Sequence, residues 1–353
     1  MKNNDGLNGG YLSHNILFKF YRIIDFIGYK IFRRRQFKKT GNRLLFINLG
    51  LIGDLILFRY VIDDFLKLDY QVDILIQNEY KFLFEDLYNV NIITVKNYKD
   101  KKILLGFIKI LSALINSKKK YDISCHFRGY LGTGIFSTFL SRVANNSIGY
   151  GTSGFGFLLN KRVEWLANTH ETNHILSILQ VLEPSYNSIN VDVFDVMANN
   201  NLFNKFGLIK QQYIIIHPTS QNAQKNIPQA MLNCTLKYLL ENSSLKVVFV
   251  GVINEISYVR ECLDNIDLSR VIITNGEIGL FDVRFLVANT ILFIGIDSSI
   301  AHLSSALKLP KIILWHRLNS FTQWKPLGDN FIIINEWSND LALVNAVRQL
   351  NKF

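Results

Sequence analysis

From residue 43 onward the chain repeats one phrase: a short apolar run, a glycine or polar turn, then a stretch whose apolar residues recur at helical spacing. That is the rhythm of βα units feeding a parallel sheet. The pattern predicts strands near 43–49, 71–77, 91–95, 121–126 and 146–149, with helices near 54–68, 79–88, 101–118, 132–142 and 172–183. Turn formers then gather at Pro184-Ser185-Tyr186-Asn187-Ser188 and Asn199-Asn200-Asn201, which marks a linker near 185–205. Beyond it the rhythm restarts, with strands near 212–216, 245–250, 270–273, 291–295, 310–314 and 331–334. The helices expected there lie near 228–242, 254–264, 280–288, 299–307 and 338–351.

A chain of 353 residues exceeds the usual size of one hydrophobic core. The expected organisation is therefore an α/β protein of two Rossmann-like parallel-sheet domains with a cleft between them, residues 41–190 and 191–335. A basic extension over 1–40 precedes them and a helix over 336–353 follows. In such sheets ligands collect at the C-terminal ends of the strands.

Charge narrows the partners. Residues 1–40 hold nine Lys and Arg against Asp5 and Asp25, a net +7 of the chain's +11. A nucleic-acid binder would spread its basic stripe over the folded body, so that class is set aside. Cys125, Cys234 and Cys262 are odd in number and widely spaced, which fits neither a disulfide framework nor a cysteine zinc site. A reducing cytosol suits them. No stretch has the roughly 18 uninterrupted apolar residues of a membrane span, and the start, Met1-Lys2-Asn3-Asn4-Asp5-Gly6, lacks the order of a signal peptide. Within 14–39, Ile16, Leu17, Phe20, Ile23, Ile24, Ile27 and Ile31 alternate with Lys19, Arg22, Lys30 and Arg33-Arg34-Arg35. Two readings stand there: an interfacial helix for an anionic membrane surface, or an extra helix packed on the first domain.

Four constellations carry chemistry. Asn48-Leu49-Gly50-Leu51-Ile52-Gly53-Asp54 follows the first strand, and its glycines permit a tight turn. Asp54 either complements the helix dipole or aims a carboxylate at a ligand as a general base, one that would act only as a hydroxyl attacks. His217-Pro218-Thr219-Ser220-Gln221-Asn222-Ala223-Gln224-Lys225 offers hydroxyls, amides and an ammonium that suit a diphosphate, or else forms an ordinary polar loop. Gly295-Ile296-Asp297-Ser298-Ser299-Ile300-Ala301-His302 joins a strand to a helix. Its serines either cap that helix or, with its N–H groups and His302, face an anion. The fourth, His170-Glu171-Thr172-Asn173-His174, spells the two-histidine zinc signature, but no third ligand follows and the next residues read as a core helix. No metal is expected.

Taken in order, these positions resemble glycosyltransferase family 9, the lipopolysaccharide heptosyltransferases, whose two-Rossmann fold is called GT-B. The resemblance covers 43–330. Arg43–Asp54 is similar to the family's opening strand with Gly-x-x-Gly-Asp, and Tyr121–Tyr150 to its strand, Arg-Gly, helix and Ile-Gly signature. Tyr213–Pro228 is similar to its His-Pro-Gly loop with Lys and Pro, Gly251–Glu255 to the next strand's Gly with Glu four residues on, and Ile294–Ala306 to its Asp-Ser/Thr-Gly-x-x-His signature. The resemblance implies an inverting, metal-independent transferase without a cofactor. Asp54 would be its base, and Gly50, Gly53 and Arg128 would form an acceptor-side loop. Thr219, Ser220, Lys225, Asp297, Ser298, Ser299 and His302 would lie on the donor diphosphate, and Glu255 at the nucleoside.

It further implies a nucleotide-sugar donor, ADP-heptose first, and a lipid-linked or oligosaccharide acceptor met at the inner face of the cytoplasmic membrane. The chain departs from the family at Asn48 (often Arg), Thr219 and Ser299 (Gly) and Trp315-His316-Arg317 (Phe-Gly-Pro/Ala). Those departures keep two alternatives open: a nucleotide-sugar epimerase or hydrolase of the same fold, and a binding protein without turnover.

Overall fold

The computed structural model describes residues 16–31, 36–95, 121–129, 133–153, 155–166, 168–194, 200–220, 222–263, 265–274, 276–305, 307–316 and 321–350. The chain divides into two compact units, Met1–Val193 and Phe194–Phe353. The helix expected at 101–118 lies outside the described residues.

Unit 1 opens with helix α1 (Ile16–Ile31) and then builds strands β1 (Arg43–Ile47), β2 (Gln71–Gln77), β3 (Asn91–Val95), β4 (Tyr121–His126), β5 (Ala144–Tyr150) and β6 (Lys161–Val163). Helices α2 (Ile52–Ile62), α3 (Thr133–Leu140) and α4 (Glu171–Leu179) connect or cover them. The strands form one sheet in the order β3-β2-β1-β4-β5-β6. Every neighbouring pair is parallel. Leu44, Leu45, Phe46 and Ile47 are all buried, as a strand covered on both faces requires.

Unit 2 repeats the plan with β7 (Tyr213–His217), β8 (Lys246–Phe249), β9 (Val271–Ile273), β10 (Leu292–Ile296), β11 (Lys311–Leu314) and β12 (Phe331–Ile334). Its helices are α5 (Asn200–Phe206), α6 (Gln229–Asn242), α7 (Ile256–Glu261), α8 (Leu280–Ala288), α9 (Ser299–Leu303), α10 (Phe321–Trp324) and α11 (Ala342–Gln349). Period two decides the layers. Ile214, Ile216, Val247, Phe249, Ile294, Ile296, Ile312 and Leu314 share a core with Met231, Leu232 and Leu236 of α6 and Leu343 and Val347 of α11. The alternate residues Tyr213, Ile215, Val248, Phe293 and Ile313 pack with Val283, Leu286 and Val287 of α8 on the other face. The parallel order β12-β11-β10-β7-β8-β9 reads, from β7 outward, as the same topology as unit 1.

Three features differ from the expectation, the first being that Asn200 and Asn201, read as turn formers of the linker, begin α5. Residues expected as a helix at 79–88 form a 3-10 stretch over Asn78–Phe84. The carbonyl of Leu83 accepts from Arg59 Nη1 at 2.6 Å, and the Leu87 amide bonds Phe84 O at 3.2 Å, so the α-helical ladder does not propagate. The edge strand β6, Lys161–Val163, was not foreseen; three residues with two exposed charges show no alternation to read.

Helix α1 is held to unit 1 partly through Asp25, whose carboxyl is pushed up to about 6 by burial, against the pull of the Gly156 and Phe157 backbone and of Arg162. The folded chain thus keeps this proton where an unfolded one, at 3.8, has lost it. The stabilisation is complete below the unfolded value and fades as pH rises through about 6. Asp25→Asn is expected to make α1 docking constant between about pH 5 and 8, read as amide exchange over 23–31 corrected for intrinsic rates; unchanged pH dependence would assign the effect elsewhere. Among the described residues no helix is long and apolar enough to cross a membrane.

Candidate active site

In both sheets the order of succession reverses next to the first strand, between β1 and β4 and between β7 and β10. Connections leaving such a pair diverge to opposite faces and open a crevice at the C-terminal edge. Each of these two switch points carries an acid and a base from different loops.

In unit 1 the acid is Asp54, in the first turn of α2. Its Oδ2 accepts the Leu51 N–H at 2.7 Å, which ties the carboxylate to the residue just before the helix. Its Oδ1 lies 2.5 Å from Nη1 of Arg128, which follows β4. The loop is held from beneath: Gln77 Nε2 donates to Leu49 O at 3.0 Å and Gly50 O at 2.8 Å, and Asn48 Oδ1 accepts Gly50 N–H at 3.0 Å. A Cβ at Gly50 would sit 2.6 Å from Asp54 Cβ and 2.8 Å from Asn48 Oδ1, so a side chain there would displace the carboxylate. Gly53 is the second residue of α2. Farther along α2, buried Arg59 grips Asp86 through both carboxylate oxygens, at 2.7 and 2.8 Å, and so fixes the helix that aims Asp54.

In unit 2 the pair is Lys225 and Asp297, with Nζ 2.6 Å from Oδ2 and both side chains mostly buried. Beside it Ser298 Oγ and His217 Nδ1 are 3.2 Å apart. Ser298 is the cap residue of α9 but caps nothing with its hydroxyl, which has turned to His217. Burial pushes His217 down to about 4, so it stays neutral near pH 7. Ser299 is the first residue of α9 and half-buried, and His302, in the same helix, is buried. Thr219 Oγ1 donates to Glu255 Oε2 at 2.6 Å, and Val252 N–H reaches the same oxygen at 3.2 Å. Ser220 Oγ is engaged inside its own turn with Asn222, and its N–H bonds Asn226 Oδ1 at 2.9 Å. The structure therefore brings Thr219 to Glu255 and Lys225 to Asp297. Gln77 and Asn226 were missing from the sequence-derived site, and His217, which opens its constellation, was given no role of its own; the signal available was a polar residue closing an apolar strand, as Gln77 and His217 do.

The zinc-like pentapeptide is structural. His170 caps α4, its Nδ1 accepting Thr172 N–H at 3.2 Å. His174 Nε2 donates to Leu166 O at 2.9 Å, its Nδ1 faces Glu171 at 3.2 Å, and its ring stacks on Trp165 at 3.7 Å. Trp165 in turn lies over Gly129, beside Arg128. Where the chain departs from the family pattern, Trp315 is buried edge-on to Phe321 and His316 stands exposed against Trp337; Arg317 lies outside the described residues.

Two α/β units, each a parallel six-stranded sheet with polar groups at its switch point, make up a GT-B fold. The structure aligns with a family 9 glycosyl transferase from Veillonella parvula at TM-score 0.70 and 17% identity, covering 90% of this chain and 91% of that one. Escherichia coli heptosyltransferase WaaC, solved with ADP-2-deoxy-2-fluoro heptose, aligns at 0.68 and 16%, covering 88% and 99%. E. coli ADP-heptose LPS heptosyltransferase II aligns at 0.66 and 16%, covering 88% and 97%. A family model described as glycosyltransferase family 9 (heptosyltransferase) matches residues 114–350, and the chain belongs to that family. No curated protein matches it.

Proposed function

We propose that this glycosyltransferase is inverting and moves a heptose or related sugar from a nucleoside-diphosphate donor, ADP-heptose first among them, to a lipopolysaccharide-core or other cell-surface glycan. The observation that carries the reading is the carboxylate of Asp54, held at a helix start by Leu51 N–H and beside Arg128 at the switch point of unit 1. The heptosyltransferase solved with an ADP-heptose analogue supports the choice of donor.

In this reading an acceptor hydroxyl attacks the donor's anomeric carbon while the bond from that carbon to the diphosphate oxygen breaks. Asp54 takes the hydroxyl proton as the new bond forms, and the nucleoside diphosphate leaves with the electron pair. One displacement inverts the anomeric centre. Arg128 orients Asp54. The leaving charge is met by Lys225 and by the amides at the start of α9, whose capping hydroxyl is turned to His217. Thr219 and Glu255, joined to each other, form the nucleoside side of the pocket. This reading takes the positive field from Lys225 and those amides and assigns no role to a divalent metal.

Incubation with ADP-heptose and a heptose-free lipopolysaccharide core is expected to release ADP only when the acceptor is present, at a rate unaltered by EDTA. Release without acceptor would favour the epimerase or hydrolase reading. Tight ADP binding with no turnover on any sugar would favour a binding protein.

A further inference from the structure

Helix α1 packs on unit 1 by one side only. There the Phe157 ring lies so close that a Cβ on Gly28 would come within 2.3 Å of it. Tyr29 Oη accepts from Arg162 Nη1 at 2.8 Å, and the same guanidinium covers the Tyr29 ring at 4.4 Å. On the opposite arc Ile23, Phe26, Ile27 and Ile31, at helical spacing, are 58%, 60%, 48% and 69% exposed. Exposed Lys30 lies within that arc, its Nζ 4.5 Å above the Phe26 ring. Four large apolar side chains in one uncovered stripe exceed the scattered exposure ordinary for a soluble surface.

We infer that this stripe of α1 is a docking face for an anionic lipid bilayer, with Phe26 and its isoleucine neighbours entering the interfacial layer and Lys30 at headgroup level. Charge selects this occupant. Residues 1–40 carry a net +7, and Arg33-Arg34-Arg35 and Lys38 follow the helix in sequence. A second copy would bring like charge against like charge, whereas an anionic surface complements it. The placement also suits catalysis. Tyr29 Oη lies beside Gly156, itself packed on Gly151, the first residue past β5. All strands of this sheet are parallel, so that point is on the same rim as Arg128 after the neighbouring β4 and Asp54 after β1, two strands away. A lipid-linked acceptor would then be offered to the rim that holds the base, a consequence that rests on the proposed transfer, whereas the docking does not.

The test uses the full chain without donor or acceptor. In co-sedimentation it is expected to bind phosphatidylcholine vesicles containing about 30 mol% phosphatidylglycerol at least about tenfold more strongly than pure phosphatidylcholine, with binding falling as salt rises. Phe26→Ser with Ile27→Ser should lower that partition at least about tenfold, at unchanged thermal midpoint. Lys30→Glu should lower it less, and only on the anionic vesicles. Equal partition of the double variant, or no preference for the anionic vesicles, overturns the inference. So does a wild-type dimer in sedimentation equilibrium that the double variant dissolves while neither binds vesicles, which would give the face to a second copy. Transfer to a soluble acceptor is measured separately, so either result can fail while the other stands.

Discussion

Asp54→Asn is expected to cut turnover about a hundred- to ten-thousand-fold, the range for loss of a positioned general base, while leaving nucleoside diphosphate affinity unchanged. The substitution is close to isosteric, and an Asn side-chain oxygen can still accept the Leu51 N–H that Asp54 Oδ2 accepts at 2.7 Å. The start of α2 thus keeps its tether and loses only the charge–dipole attraction, about 0.3–1 kcal/mol. Arg128 loses the carboxylate 2.5 Å away, and with that side chain only 12% exposed the cost is about 1–3 kcal/mol. Turnover is therefore compared well below both thermal midpoints, so that a fall in rate cannot be a fall in folded protein. A kcat effect at constant KM for the donor would place Asp54 on the reacting hydroxyl. Turnover within about threefold of wild type would remove it from that role and leave it as the helix-start carboxylate that its position alone suggests.

The periodic part of the sequence was readable because burial imposes it. Strands covered on both faces must be apolar throughout, so Leu44–Ile47 and Ile214–Ile216 announce themselves, and alternating glycine turns and helical stripes give the parallel order away. The loops were legible as places, at the ends of those strands, and less so as contacts. Thr219 meeting Glu255, Ser298 turning to His217 and Gln77 supporting Leu49 and Gly50 join residues 36, 81 and 27–28 positions apart. Only the sheet order brings them together, and no local pattern encodes it. Of the two readings open for Ser298, capping is the one its hydroxyl does not take: it is a good cap type, yet a long-range partner outcompetes the helix. His302 follows in the same helix and is buried, as Thr219 and His217 are. The His170–His174 signature fails for a different reason. A regular expression records spacing, whereas Thr172, Glu171 and Leu166 O already engage those rings.

Lys225→Met is expected to weaken nucleoside diphosphate binding about ten- to a hundredfold, measured by calorimetry, with little change in fold because the residue ends a single 3-10 turn outside the core. Interpretation turns on Asp297, whose Oδ2 is 2.6 Å from the ammonium. Removing the lysine deletes the proposed contact to the diphosphate and also leaves the Asp297 carboxylate uncompensated; at an effective dielectric near 20, two charges about 4 Å apart repel by about 4 kcal/mol, enough to account for the whole loss. The double variant Lys225→Met with Asp297→Asn separates the two. An ammonium has three donors, so it can hold carboxylate and phosphate at once. If Lys225 binds the diphosphate, the double variant stays at least about tenfold weaker than wild type although the repulsion is gone. If its task is only to neutralise Asp297, binding returns to within about twofold. That recovery would move the leaving-group field to the amides of α9, and Ser299 at their head would become the residue that sets how the phosphate is seated.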